Sequence, residues 1–151
     1  MLTTACQRRT VYNHYEHTPL AGWEKNDTLN FYVPPVGQDG LYREEVGLRI
    51  SGDYPFMGLN LVIEQTIAHH TRRDTLVCAV IDDHGNATGR GVSQYQYRFP
   101  LTTLHLNRGD ALHVTIRHDM KREILPGIAD IGLRLTRETD TNPQVQQKQT
   151  K

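Results

Sequence analysis

Histidine is the residue type in this sequence that most readily suggests metal chemistry, and the chain has eight histidines. Imidazole nitrogens are common zinc ligands, and the candidate pairs are His14 with His17 and the adjacent His69 and His70. In an extended strand, side chains one or three positions apart point to opposite faces of the sheet. Neither pair can close on one ion without a turn, so we expect no metal site and give the histidines structural or solvent-exposed roles.

The sequence lacks the residue arrangements that usually support nucleophilic or acid–base catalysis. The serines Ser51 and Ser93 do not lie in a Gly-x-Ser-x-Gly elbow, and Cys78 is expected to be buried and inert on a strand. The carboxylates that are paired in the sequence are Glu44-Glu45 and Asp82-Asp83. Neighbours on a strand diverge, so such pairs cannot act as acid and base on one substrate. The sequence therefore predicts a protein with no enzymatic activity and no cofactor.

The elements that position these residues are predicted to be strands. Apolar and polar residues alternate with a period of two from Leu29 to Leu135, which is typical of strands with one buried face. Apolar sets that share one parity include Leu29, Phe31 and Val33; Val46, Leu48 and Ile50; Leu112, Val114 and Ile116; and Ile131, Leu133 and Leu135. Glycine and proline separate the runs. We predict an all-β, two-layer antiparallel β-sandwich, jelly-roll-like, with about eight or nine strands; a closed barrel is the alternative.

The strand pattern places a single domain at residues 10–137 of the 151-residue chain. With 37% hydrophobic residues, the chain can bury one core. Residues 1–9 are predicted to be the remnant of a lipoprotein signal and a tether. Residues 138–151 are predicted to be a disordered polar tail, because they have almost no apolar anchor. Purely apolar stretches are far shorter than the roughly 20 residues with which a helix crosses a bilayer.

The charge balance argues against nucleic acid as a partner. The 17 Lys and Arg residues equal the 17 Asp and Glu residues in number, and the basic pairs lie far apart among acids. No strong field would then concentrate phosphate at the surface.

The amino-terminal segment Thr3-Thr4-Ala5-Cys6 is similar to the end of a lipoprotein signal, in which a small residue precedes a cysteine that becomes acylated. A complete signal has a basic segment and an apolar stretch upstream, whereas only Met1 and Leu2 precede this one. From these residues alone, Cys6 is either a lipid attachment site or an ordinary cysteine. The two cysteines, Cys6 and Cys78, could also pair in an oxidising compartment.

Four sequence blocks, in fixed order, carry a resemblance to a known family. They are Val11-Tyr12 and Tyr15 with Gly22-Trp23 and Lys25-Asn26-Asp27-Thr28; Asp53-Tyr54-Pro55-Phe56 with Asn60-Leu61; Asp74-Thr75-Leu76 with Cys78, Asp82, Gly85, Gly89 and Gly91; and Leu125-Pro126-Gly127-Ile128 with Asp130-Ile131-Gly132-Leu133-Arg134. By their order and spacing, residues 11–135 resemble GldH, a lipoprotein family of the Bacteroidetes linked to gliding motility.

The resemblance implies that Cys6 is acylated and anchors the chain to a membrane of the cell envelope. Gln7, Arg8 and Arg9 follow it, whereas surface-exported lipoproteins of this phylum tend to carry acids there, so we expect a periplasm-facing anchor. The implied function is that of a non-enzymatic component or accessory of a gliding-motility or secretion-type protein assembly of the envelope. Its partners would be the membrane and other envelope proteins.

Two further hypotheses concern sugars. Asp-Thr before an apolar residue is an O-glycosylation pattern in exported proteins of this phylum, and it marks Thr28 and Thr75 at predicted strand entrances; the alternative is that the aspartate caps a turn. The alternative function is a carbohydrate-binding β-sandwich module. Trp23, Tyr42 and Tyr54, in predicted loops, would form its aromatic platform unless they only plug the ends of the core.

Overall fold

A computed structural model describes residues 9–82, 84–91 and 94–138. Residues 1–8, which include Cys6 and all of the predicted tether except Arg9, and residues 139–151 lie outside these ranges. The strands are β1 (Thr10–His17), β2 (Trp23–Glu24), β3 (Leu29–Val33), β4 (Gly40–Ser51), β5 (Gly58–Ile67), β6 (His70–Ala79), β7 (Gln94–Leu106), β8 (Leu112–His118), β9 (Ile124–Leu125) and β10 (Ile128–Arg137). In these ranges we find no helix that could span a membrane.

The eight longer strands form two four-stranded antiparallel sheets, in the orders β1-β10-β4-β7 and β3-β8-β5-β6. The short strands β2 and β9 pair with each other at one end of the sandwich. Along the chain, successive long strands mostly alternate between the two sheets, which is the connectivity of a jelly roll. The predicted all-β, jelly-roll-like sandwich is therefore confirmed, and a closed barrel is not formed.

The apolar residues that recur at every second position form the buried face of each sheet. In β8 every second residue is fully buried, and β3 shows the same alternation. The core lies between the sheets, and its largest fully buried side chains are Trp23, Tyr42 and Phe31. Burying a side chain of this kind stabilises the fold by roughly 1.5–3 kcal/mol or more, so these alternating rows supply most of the driving force.

The first strand begins and the last strand ends at the same end of the sandwich, which we call the N-terminal end. Here Thr10 pairs with Thr136, and the Arg137 amide donates a 2.9 Å hydrogen bond to the Arg9 carbonyl. The hairpin between β5 and β6 and the connection between β7 and β8 lie at this end too. The opposite end, which we call the distal end, carries β2, β9 and the connections that leave β4 and β6.

Candidate functional site

The outer face of the sheet β1-β10-β4-β7 has two glycines at its centre. Gly132 on β10 pairs directly with Gly47 on β4, and Tyr15 and Arg98 continue this row on the edge strands β1 and β7. A Cβ on Gly47 would lie 2.5 Å from the Tyr15 hydroxyl oxygen, and one on Gly132 would lie 2.6 Å from Cε1 of the same ring. The Tyr15 ring therefore lies across bare backbone, which is one use of glycine inside a strand.

Arginine holds this ring in place. The Arg49 guanidinium carbon lies 3.8 Å from the centre of the Tyr15 ring, a cation–π contact. Arg49 is itself oriented by the carboxylate of Asp130, with 3.7 Å between Nη1 and Oδ2. On the other side of the row, Arg134 donates a 2.7 Å hydrogen bond from Nη2 to Glu45. The middle of the face is thus a fixed network around an aromatic ring.

An open cleft of about 510 Å³ adjoins this ring at the β7 edge. Its lining residues are Tyr15, Thr88, Gly89, Arg90, Gln96, Tyr97, Arg98 and Phe99. No carboxylate belongs to this lining, and in the part of the chain that the structure describes neither Arg90 nor Arg98 takes part in a salt bridge. The cleft therefore presents two arginines that no acid among the described residues neutralises, and it is our candidate site for ligand binding.

A second polar feature lies inside the sandwich. Glu44 on β4 and Gln65 on β5 are both 0% exposed, and none of their side-chain oxygen and nitrogen atoms has a hydrogen-bond partner among the described residues. Burial raises the pKa of Glu44 to about 7, and the nearby Gln65 amide and Arg72 guanidinium lower it only in part. Arg72 is bound to Asp74 on the same edge strand, with 2.9 Å between Nε and Oδ2. Because the Glu44 carboxylate is fully buried, it cannot contact a ligand at the surface. Its ionisation therefore affects the stability of the fold and not catalysis.

A model of the GldH lipoprotein family matches residues 10–135, which is most of the chain. The chain belongs to the GldH lipoprotein family. The family resemblance of the four sequence blocks is therefore confirmed. The chain is a lipoprotein of a family associated with gliding motility. No curated protein matches the chain.

Several solved structures are similar to this GldH-family chain. They include a family GH115 4-O-methyl-α-glucuronidase with specificity for decorated arabinogalactans (14% identity, 92% of this chain, 19% of that chain, TM-score 0.44), a protein from Sulfurospirillum deleyianum (10%, 85%, 99%, 0.44) and a family 35 carbohydrate-binding module from Clostridium thermocellum (9%, 84%, 92%, 0.40). The chain spans about a fifth of the glucuronidase, 19% of its length. At such identities and TM-scores these likenesses support no conclusion about ligand or activity.

The three aromatic residues expected to form a sugar platform are buried in this GldH-family domain. Trp23, Tyr42 and Tyr54 are 0%, 1% and 7% exposed. Trp23 lies in β2 and Tyr42 in β4, so the prediction that they lie in loops is wrong. Their polar tips bind backbone carbonyls at 2.7–2.9 Å, which fastens loops to the core. None offers a ring face to a sugar, and their role here is to plug the core.

Both candidate glycosylation sites are exposed. Thr28 immediately precedes β3, as expected. Thr75 lies in the middle of β6, because that strand begins five residues earlier, at His70, so its predicted place at a strand entrance is wrong.

The cysteines and histidines have separate positions. Cys6 lies outside the described residues, whereas Cys78 is 0% exposed and burial raises the pKa of its thiol to about 12. His14 binds Glu16 at 2.8 Å and His17 binds Asp130. Within residues 9–82, 84–91 and 94–138, no three side chains of the metal-binding types gather around one point.

The cleft is not predicted from the sequence. Tyr15 and Gly89 belong to the blocks that resemble the family, and neither Arg90 nor Arg98 is a predicted site residue, although a signal for the cleft exists. Gly47 and Gly132 interrupt otherwise alternating strands, and a glycine at such a position often marks a close approach by another group. Only the long-range pairing of β10 with β4 places the two glycines side by side.

Proposed function

We propose that this chain is a non-enzymatic, lipid-anchored component or accessory of a gliding-motility or secretion-type protein assembly in the cell envelope. The observation that supports this most is the family match over residues 10–135. The fold adds a geometric argument, because β1 begins at the N-terminal end of the sandwich, only four residues after the proposed lipid attachment site at Cys6.

The short tether would set the orientation of the domain at the membrane. Four residues of chain span at most about 14 Å, so Thr10 and the whole N-terminal end would stay near the lipid surface. Strand β4 runs from that end to the distal end over 12 residues, which corresponds to about 40 Å. The distal loops would then stand about this far from the membrane, facing the periplasm in our proposal. The mechanism is positional, since a shared membrane raises the effective concentration of partners.

The distal end is where we assign the contacts with envelope proteins. Leu20 is fully solvent-exposed there, and Met57 is 64% exposed. Leu20 also borders a distal cleft of about 620 Å³. Exposed apolar side chains beside a concave surface are common features of protein interfaces.

The same cleft supports a non-enzymatic role. Ser51, His17 and Asp130 all line it, which is the residue set of a hydrolase triad. However, the Ser51 hydroxyl accepts a 3.4 Å hydrogen bond from the Asp53 amide, and among the residues described it makes no hydrogen bond with His17. The His17 side chain is 86% exposed, so water screens its pairing with Asp130. A nucleophile activated by a base is not assembled.

Site-specific crosslinking in the native host tests the orientation and the partner together. A photo-reactive residue at Leu20 or Met57 is expected to capture an envelope protein, whereas the same residue at Arg108, on the N-terminal end, is expected to capture none. Removing the anchor with Cys6→Ala should strongly reduce the distal adducts. Adducts of equal yield from Arg108, or distal adducts unaffected by Cys6→Ala, would contradict the proposal.

We also propose O-linked sugars on Thr28 and Thr75. Both side chains are exposed, which gives a transferase access to the hydroxyls. Intact mass of protein purified from its native host is expected to exceed the polypeptide mass, and the excess should fall in Thr28→Ala and Thr75→Ala. An unmodified wild-type mass would refute this.

A further inference from the structure

The cleft beside Tyr15 combines two arginines, which have no acidic partner in the described parts of the chain, with groups that can bind hydroxyls. Arg98 and Gln96 lie on the same face of β7, two positions apart. Arg90, in the connection between β6 and β7, forms an antiparallel β-bridge with Gln96. Guanidinium groups present parallel N–H donors that match a carboxylate. The Gln96 amide and the Tyr15 phenol add donors and acceptors to the same lining, and the Thr88 hydroxyl, which donates a 3.3 Å hydrogen bond to the Ala79 carbonyl, adds an acceptor.

The charge of the surrounding face has the same sign. We call the residues Tyr15, Gly132, Gly47 and Arg98, which lie side by side across the sheet, the glycine row. Together with the two rows beside it on the outer face and with the cleft, it contains four arginines, Arg49, Arg90, Arg98 and Arg134, and two carboxylates, Glu45 and Asp130. Both carboxylates are already engaged by arginines of the sheet, with Arg134 on Glu45 and Arg49 on Asp130. The positive charge that remains available is therefore that of Arg90 and Arg98, at the cleft.

The backbone around the cleft favours a compact ligand over an added peptide strand. Arg90 and Gln96 already exchange two backbone hydrogen bonds, of 3.1 and 2.9 Å, so this part of the β7 edge cannot pair with another chain. Farther along, Pro100 has no N–H to donate. At about 510 Å³ the cleft lies within the common size range of small-molecule sites.

We propose that this cleft binds an acidic saccharide, with the sugar carboxylate held by Arg90 and Arg98 and the sugar hydroxyls held by Gln96, Thr88 and Tyr15. Arg49 acts as a positioning residue, because it holds the Tyr15 ring over the two glycines. The site is distinct from the buried aromatic residues Trp23, Tyr42 and Tyr54, which the sequence predicts as a sugar platform. It does not depend on the membrane anchor or on the distal contacts.

Calorimetric titration of the full chain with trigalacturonate tests the site. We expect binding that weakens at least about tenfold in Arg98→Gln and in Arg90→Gln, since each removes a charge-assisted hydrogen-bond donor. Arg122→Gln is the matched control, because Arg122 is exposed in the connection between β8 and β9 and makes the same change of charge away from the cleft. Its affinity should equal that of wild type, and raising the salt concentration should weaken binding in all these proteins.

Two comparison ligands identify the chemistry. Galactotriose, which lacks the carboxylates, is expected to bind at least about tenfold more weakly than trigalacturonate. Equal binding of galactotriose, tighter binding of hexaglutamate, or equal loss in Arg122→Gln and Arg98→Gln would each overturn the proposal. Circular dichroism of each variant should match wild type, because all three arginines are exposed. Absence of saccharide binding would not change the crosslinking result expected at the distal end. The saccharide proposal and the proposed envelope function can therefore be refuted independently.

Discussion

Replacing Glu44 by glutamine is expected to stabilise the domain at pH 8 and to leave its stability near pH 4 almost unchanged. Glu44 lies in the inward-facing row of β4 between Tyr42 and Val46, and neither carboxylate oxygen has a partner among the residues the structure describes. Glutamine has nearly the same shape without the charge. The substitution therefore removes the cost of ionising a buried group and creates no cavity.

The size of the effect follows from the pKa. Burial raises the pKa of Glu44 from 4.5 to about 7. Between these values the folded state holds a proton that the unfolded state has released, so the contribution to stability is fully present below pH 4.5 and is lost as the pH rises through about 7. At about 1.4 kcal/mol per pKa unit, the loss is about 3 kcal/mol. That is a large part of the roughly 5–15 kcal/mol by which domains are stable.

Urea unfolding at several pH values from 4 to 8.5, followed by the fluorescence of the single tryptophan, measures this difference. His118 also makes stability depend on pH, because burial lowers the pKa of its imidazole in the folded state. Its contribution to the free energy of unfolding is lost as the pH falls below 6.5. His118 is present in both proteins, so the difference between wild type and Glu44→Gln isolates Glu44.

The matched control is Glu45→Gln, one residue along the chain. The Glu45 carboxylate points to the outer face and accepts a 2.7 Å hydrogen bond from Arg134, so its removal should give no gain at pH 8. Parallel stability curves for wild type and Glu44→Gln between pH 5 and pH 8, or a less stable variant at pH 8, would show that ionising Glu44 does not destabilise the folded domain.

Three other predictions concern the core and the glycine row. Trp23→Ala should lower the free energy of unfolding by about 3–5 kcal/mol, because it empties a fully buried site, and a loss below about 1 kcal/mol in urea titration would be inconsistent with this packing. In a Cys6→Ala background Cys78 should react with an aromatic disulfide reagent at pH 8 only after urea is added, because it is buried and its thiol pKa is about 12; fast reaction of the folded protein would disprove its burial. Gly132→Ala should displace the Tyr15 ring and be destabilising in wild type but not in Tyr15→Ala, and equal costs in both backgrounds would show that the ring does not lie there.

The fold class could be predicted because strand patterns are local. In β3, and in β8 from Leu112 to Ile116, the alternation of the sequence agrees with burial, and glycine and proline mark the turns. At the end of β8 the polar His118 takes the next buried position. Tyr42 shows the limit of this reasoning. Its strand β4 begins at Gly40, before the alternation that starts near Val46 becomes clear, so a core residue was assigned to a loop.

The candidate site could not be predicted because it depends on pairings far apart in the sequence. Gly47 and Gly132 become neighbours only through the register of β4 with β10, and Tyr15 reaches them from a third strand. Glu44 illustrates a second reason. Its parity places it in the core row, but charged residues are rarely buried, so the sequence pattern favours reading it as a surface carboxylate beside Glu45.

The proposed role requires a lipid on Cys6 that holds this sandwich at an envelope membrane. Fractionation of native-host cells, combined with the mass of the mature amino-terminal peptide, measures this anchoring. We expect wild-type protein in the membrane fraction with an acylated Cys6, and Cys6→Ala protein in the soluble fraction. Wild-type protein in the soluble fraction with an unmodified Cys6 would contradict it.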